Sequence, residues 1–286
     1  MNKKKKLVRL DRFILNYQGN KYRETKKYLS GLNISKYDYI CEPYGGIFGF
    51  SRVMFEINPD FKGVFLINDT DKELIEFYKK LKNNLEKTVD FYAKKINDLI
   101  TQAGNIDKNF TPLIRDQPDR ILRFLCRGHN SCIFNIKKSQ TKLKNFKEKL
   151  TEYKLFFDKC LFYNLKSCEF FEMVDQYKNK LIFCDPPYFN SSNNSYFSEP
   201  ILMDGTLIEY PDNTSMYVHI KQQFDKKKED MIFIMNFTAL IHYIFLDYFK
   251  KKYSKTYGNN LKNKGIIGKT KADHVLYCSG NVEFLE

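Results

Sequence analysis

Residues 37–46 read Tyr-Asp-Tyr-Ile-Cys-Glu-Pro-Tyr-Gly-Gly, and residues 63–71 read Gly-Val-Phe-Leu-Ile-Asn-Asp-Thr-Asp. In both, a short apolar run stops at a polar corner. The first corner is Glu42-Pro43-Tyr44-Gly45-Gly46; the second is Asn68-Asp69-Thr70-Asp71. Short apolar runs bounded by turn residues predict strands buried on both faces. Phe50 to Glu56 predicts a helix between them. Glu73 to Leu85 predicts the next helix, with Leu74, Phe77, Tyr78 and Leu81 along one side. Strand, glycine turn, helix, strand, acid, helix is the opening of a parallel α/β sheet of the kind that binds nucleotides. Asp71 is the better N-cap for the second helix, which leaves Asp69 available at the strand end.

Working outward, Tyr17-Gln-Gly-Asn-Lys21 is a turn-like cluster ahead of a helix that carries Tyr28 and Leu29 on its apolar side. Downstream, Leu181 to Cys184 predicts a strand that ends at Asp185-Pro186-Pro187-Tyr188. Met231 to Met235 predicts another, ending at Asn236, and His274 to Tyr277 a late one. Asn190 to Pro200 reads as a polar loop. From about Asn83 to Leu150 the chain is Lys-rich and helical in pattern. Gln117-Pro-Asp119 opens a helix over Arg120 to Arg127, Gly128 to Ser131 breaks it, Ile133 to Ile136 is extended, and Lys137 to Lys149 is basic. This predicts an inserted helical subdomain over 83–154, within a principal domain made of 1–82 and 155–286.

Composition narrows the classes. The 286 residues carry 48 Lys and Arg against 34 Asp and Glu, a formal charge of +14. Hydrophobic residues are 43% and aromatics 16%, enough apolar surface to order the chain and exclude wholesale disorder. With 13 Gly and 8 Pro, collagen-like and low-complexity readings fail. The most apolar stretch, Ile232 to Phe249, contains Asn236, Thr238, His242 and Asp247, which fits a buried strand and helix better than a membrane span. Met1-Asn-Lys-Lys-Lys-Lys6 is followed by no apolar signal-peptide core. The cysteines, at 41, 126, 132, 160, 168, 184 and 278, form no paired framework, so free thiols in a reducing intracellular compartment are expected. The excess positive charge favours a polyanionic partner.

Asp185-Pro-Pro-Tyr188 carries the most chemistry. It sits at the carboxyl end of a strand, where open α/β sheets bind ligands. The prolines fix the backbone and lack N–H donors, so their carbonyl oxygens are offered as acceptors. A carboxylate and a rigid carbonyl together can take both protons of an exocyclic amine and aim its lone pair outward. Tyr188 offers a flat face for a base, a contact worth about 1–3 kcal/mol. Cys126, His129 and Cys132 lack a fourth zinc ligand nearby, so no metal is expected. The remaining histidines show no acid or nucleophile partner in the sequence.

These residues resemble the Dam-type (D12, α-class) DNA N6-adenine methyltransferases. In that family Lys-Trp-x-Gly-Gly-Lys comes first, then Glu-Pro-Phe-x-Gly, then an acid after the second strand, then a helical recognition region, then Asp-Pro-Pro-Tyr. Here the order is Asn16-Tyr17-Gln18-Gly19-Asn20-Lys21, Glu42-Pro43-Tyr44-Gly45-Gly46, Asn68-Asp69, the insertion with Arg120-Ile-Leu-Arg-Phe-Leu-Cys126, and Asp185 to Tyr188. The resemblance runs from about Phe13 to about Gly280. It implies a Rossmann-like S-adenosyl-L-methionine-dependent methyltransferase fold with an inserted helical target-recognition subdomain. The implied activity is direct methyl transfer to N6 of a flipped-out adenine in double-stranded DNA. The implied catalytic group is Asp185, Pro186, Pro187 and Tyr188. Glu42, Pro43, Tyr44, Gly45 and Gly46 would form the loop against the cofactor, Asp69 would bind its ribose hydroxyls, and Tyr17, Gly19 and Lys21 would close over its methionine part, with Asp185 beside it. Arg115, Arg120, Arg123, Arg127, Asn130, Lys137 and Lys138 are the candidate DNA contacts. Phe48 stands where the family usually has a glycine, which would narrow the cofactor site unless Gly49 takes that role. An RNA or cytosine-N4 substrate, or a degenerate fold that only binds nucleic acid, are the alternative expectations.

Overall fold

The computed structural model describes residues 8–11, 13–17, 20–104, 112–126, 136–188, 201–203, 206–208, 214–226, 229–258 and 269–285. The buried runs around Ile40, Leu66 and Ile182 all become strands of one sheet. In chain order the strands are β1 (Tyr39–Glu42), β2 (Val64–Asn68), β3 (Cys160–Tyr163), β4 (Lys180–Cys184), β5 (Ile201–Met203), β6 (Thr206–Ile208), β7 (Asp230–Asn236), β8 (Phe249–Gly258) and β9 (Lys269–Ser279). Seven of them form the main sheet in the order β3-β2-β1-β4-β7-β9-β8, and β5 pairs only with β6. The first five of that order run parallel. Strand β9 is antiparallel to both its neighbours, so the sheet is mixed and not parallel throughout. The reason is local: β8 and β9 follow each other as a hairpin, which needs no helical crossover. The architecture is α/β and compatible with a Rossmann-like arrangement.

The helices are α1 (Tyr22–Tyr28), α2 (Gly49–Ile57), α3 (Lys72–Asn83), α4 (Leu85–Ala103), α5 (Arg120–Cys126), α6 (Ile136–Lys147), α7 (Leu150–Asp158), α8 (Ser167–Val174), α9 (Thr214–Lys226) and α10 (Ala239–Ile244). Alternate strand residues point to opposite faces, and both faces are covered. Ile40, Phe65, Ile67, Leu181, Phe183 and Ile232 join the cluster that includes α2 and α3. Cys41, Leu66, Ile182, Cys184, Met231 and Phe233 join the one under α8, α9 and α10. The first cluster continues without a break into Val89, Tyr92, Ile96, Leu122, Phe146 and Tyr153. The helices of 83–154 therefore share a core with the sheet, and α7 runs across position 154. Asp119 caps α5, its Oδ1 accepting the Leu122 N–H at 3.0 Å.

The segment ahead of α1 is fastened by a buried charge. Arg52 on α2 is fully buried and donates to the Leu10 carbonyl at 2.8 Å and to Asn20 Oδ1 at 3.2 Å. Its guanidinium lies 5.0 Å from the Tyr22 ring centroid and 5.2 Å from that of Phe13. Glu56, one turn on, accepts the Leu10 N–H and the Tyr22 hydroxyl. These contacts hold Leu10, Phe13, Asn20 and Tyr22 against α2 and so fix where Tyr17 and Lys21 reach the sheet edge.

Candidate functional site

Strand order turns at β1, which has β2 on one side and β4 on the other. At such a switch point the loops from adjacent strands diverge and leave a crevice at their carboxyl ends. The register aligns Cys41 with Leu66 and with Ile182. The Pro43–Gly46 loop, Asp69 and Asp185 consequently leave the sheet at one edge.

The loop after β1 is held by β2. The Asn68 amide donates to the carbonyls of Pro43 and Leu165, both at 3.0 Å, and Gly45 N–H donates to the Asn68 carbonyl at 2.7 Å. A Cβ at Gly45 would come within 2.6 Å of Ile67 Cγ2 and 2.9 Å of the Asn68 oxygen, so only glycine fits. Gly46 has φ +48°, and its N–H donates to Asp69 Oδ2 at 2.9 Å. The Tyr78 hydroxyl donates to the Gly46 carbonyl at 2.6 Å. Tyr17 flanks the same glycine and meets Phe124 of α5 edge-on at 5.3 Å. Tyr44 packs half-buried against the second cluster. Glu42 is buried and accepts the N–H of Ser51 at 2.9 Å, and its hydroxyl as well.

The cap assignment holds. Asp71 Oδ1 accepts the Leu74 N–H at 3.2 Å, while Asp69 Oδ1 accepts the Asp71 N–H at 2.9 Å. Asp69 thus bridges the β1 loop and the β2 corner and is not a helix cap.

Phe48 is fully buried in the left-handed region (φ 43°, ψ 47°), and its ring goes into the core. It meets Phe13 and Tyr78 edge-on, both at 4.8 Å. It does not narrow the crevice. The close approach belongs to Gly49, where a Cβ would lie 2.7 Å from the Tyr22 nitrogen and 3.0 Å from that of Lys21.

At the end of β4, Asp185 Oδ2 pairs with the Lys21 ammonium at 2.8 Å, the two side chains 14% and 6% exposed. Asp185 Oδ1 is buried with no hydrogen-bond partner among the described residues. The Lys21 ammonium also lies over the Tyr188 ring, 4.8 Å from its centroid. The Tyr217 hydroxyl of α9 donates to the Pro187 carbonyl at 3.0 Å. Tyr188 reaches His274 of β9, hydroxyl to Nδ1, at 3.5 Å. Lys21, expected over the methionine part of a cofactor, is therefore seated on the carboxylate of the Asp-Pro-Pro-Tyr corner.

Three carboxylates crowd this edge, and burial lifts each. Glu42 is pushed up to about 7, Asp69 to about 6 and Asp185 to about 6, the last held back by the Lys21 ammonium. A carboxyl whose folded value lies above its unfolded one takes up protons more readily when folded. For Glu42 and Asp69 stability should therefore rise as pH falls from 8 through 7 and 6 toward 5; Asp185 is set apart, because protonating it takes the counter-charge from the buried Lys21 ammonium. With salt screening the net charge, thermal unfolding at pH 5.5 should lie on the order of 5 °C above that at pH 8. A flat or opposite trend would contradict the burial of these acids.

The DNA-contact expectations fare unevenly. Arg120 is 8% exposed and paired with Asp71 Oδ2 at 3.0 Å, its guanidinium 5.2 Å from the Phe124 ring centroid. It joins α5 to the second strand's corner because the cap Asp71 needs a counter-charge once buried. Arg115 is exposed beside Asp116, and Arg123 is half-buried. Lys137 and Lys138 lie on α6. Gly19, Arg127 and Asn130, like the polar loop 190–200, fall outside the described residues.

Sequence reasoning missed Asn68, Tyr217 and His274. Asn68 sat inside the quoted corner, and its double clamp on loop carbonyls is a role that a strand-end Asn can fill. Nothing in the sequence links Tyr217 or His274 to the corner, since the packing of α9 brings the first there and the sheet order the second.

Among the described residues no helix is long and apolar enough to cross a membrane. No cluster of three His, Cys, Asp or Glu among them could hold a metal. The six described cysteines are free. No protein-family model matches the chain, and no curated protein matches it in sequence.

Proposed function

We propose that this chain is an S-adenosylmethionine-dependent methyltransferase acting on N6 of adenine in DNA. The observation that carries this reading is Asp185: a largely buried carboxylate on the crevice edge, with Oδ2 paired to Lys21 and Oδ1 buried without a hydrogen-bond partner within reach among the described residues. An acceptor left so is suited to an incoming N–H.

The residues fit the cofactor. Gly45 and Gly46 permit close approach of a ligand to the backbone, and Asp69 retains lone pairs for ribose hydroxyls beyond its two backbone contacts. Tyr17 would cover the loop. Glu42, Asp69 and Asp185 supply negative charge for a sulfonium cation. When bound, S-adenosylmethionine would supply a methyl group already activated by that sulfonium. Asp185 Oδ1 would accept one amine proton and the Pro186 carbonyl the other, because Tyr217 already engages Pro187. This holds the N6 lone pair out of the ring plane. Asp185 also stabilises positive charge developing on nitrogen, and Lys21 keeps it ionised until then. The prolines keep the carbonyl fixed, so the acceptors need no reorganisation. The adenine would have to leave the duplex stack to reach the corner. The net charge of +14 suits a phosphate backbone. Phe48, which would have argued for a fold that only binds, keeps its ring in the core and leaves the crevice to the loop.

Calorimetry tests the cofactor half. S-adenosylmethionine should bind, and more tightly as pH rises from 5.5 to 8, because a cation favours the ionised form of the three raised carboxylates. A folded protein giving no binding heat would overturn it.

A further inference from the structure

His274 and Tyr253 take no part in the roles assigned above, yet they stand against the corner. His274 is 1% exposed, midway along β9, the strand next to the sheet edge, with Asn236 opposite it on β7 and Tyr253 opposite it on β8. The rings of Tyr253 and His274 are stacked, 5.5 Å apart and 14° from parallel. Tyr253 stacks in turn on Tyr28 of α1 at 3.8 Å. The imidazole is thus clamped between strands and against a ring stack, and has little freedom to turn. Its Nδ1 faces the Tyr188 hydroxyl, and the two rings meet edge-on at 5.9 Å and 74°. The Tyr253 hydroxyl is itself buried without a partner among the described residues.

We propose that His274, braced by Tyr253 and Tyr28, is a positioning residue that sets the orientation of the Tyr188 ring for the base it stacks on. The base-stacking role of Tyr188 rests on the methyltransferase reading; the coupling of His274 to the Tyr188 hydroxyl does not. Tyr188 is the last member of its motif. The prolines fix its backbone but not its ring, whose tilt is a side-chain torsion. A contact at the hydroxyl, far from Cα, is the most effective place to restrain that torsion. The reversed hairpin β8–β9 thereby acts on the end of β4 across β7.

The test is a double-mutant cycle with His274→Asn and Tyr188→Phe. His274→Asn should lower kcat on an adenine-containing duplex by about tenfold, with S-adenosylmethionine affinity unchanged. In the Tyr188→Phe background the same substitution should change kcat by less than about twofold, because the hydroxyl it acts through is gone. Independent, multiplying losses, or wild-type turnover in His274→Asn, would overturn the proposal. A second readout needs no activity and no change at His274. The chain has four histidines, so selective 15N labelling resolves their rings. The His274 Nδ1 resonance should shift in Tyr188→Phe, and an unmoved resonance would overturn the coupling. A shift in a protein that transfers no methyl group would instead count against the methyltransferase reading.

Discussion

On the proposed reading, Asp185→Asn is expected to lower methyl transfer by about a thousandfold or more, since it removes the charged acceptor that would face the amine. Asparagine keeps the size and offers a carbonyl, so the loss reads the charge and not the shape. The same change has a structural consequence. Lys21 sits 2.8 Å from Asp185 and is 6% exposed, so the variant strands a buried ammonium. Breaking such a pair from one side costs about 3–5 kcal/mol. Fold and chemistry can be separated by adding Lys21→Met, which removes the stranded charge. The double variant should regain most of the thermal stability and none of the transfer. Activity that returned along with stability would mean that Asp185 matters only as the partner of Lys21.

Phe48→Gly is the second large effect, and its sign runs against the pattern of the family that the sequence resembles. Glycine is the residue usual there, and φ 43° is strained for phenylalanine. Relief of that strain is worth about 1–2 kcal/mol. Against it stands a fully buried ring in edge contact with Phe13 and Tyr78. Deleting a buried phenylalanine costs about 3–5 kcal/mol. The cavity wins, and the variant should be less stable by about 2–3 kcal/mol in denaturant unfolding. S-adenosylmethionine affinity should hold, because the ring faces the core. Tighter cofactor binding in the variant would show that Phe48 crowds the crevice after all.

The strands nearest the site were legible because they are buried on both faces, which leaves continuous apolar runs over 39–41, 64–67, 181–184 and 231–235. The Asp71 cap was legible because side-chain capping is local. Strand β3 was not, because it lies at the sheet edge and leaves Leu161 exposed, so it shows no run buried on both faces. Edge strand β8 begins Phe-Lys-Lys-Lys and carries the charge that protects a sheet edge, which hides its period. The direction of the Phe48 ring depends on a backbone angle that its neighbours do not announce. Arg120 was named a candidate DNA contact as an Arg on a helix in a basic region; its pairing with Asp71 joins residues 49 positions apart, which no local pattern shows. Within the candidate site, the Asp-Pro-Pro-Tyr corner and the glycine loop were readable as residue types. That Lys21 sits on Asp185, and that His274 meets Tyr188, follow from how α1 and β9 pack.

The most direct measurement uses the purified chain, S-adenosylmethionine carrying an isotopically labelled methyl group, and adenine-containing duplex DNA. The DNA is digested to nucleosides and the label located by mass spectrometry. Label on N6 of deoxyadenosine, absent with Asp185→Asn, is the predicted result. Label on cytosine, transfer to RNA alone, or no label from a folded protein would contradict it.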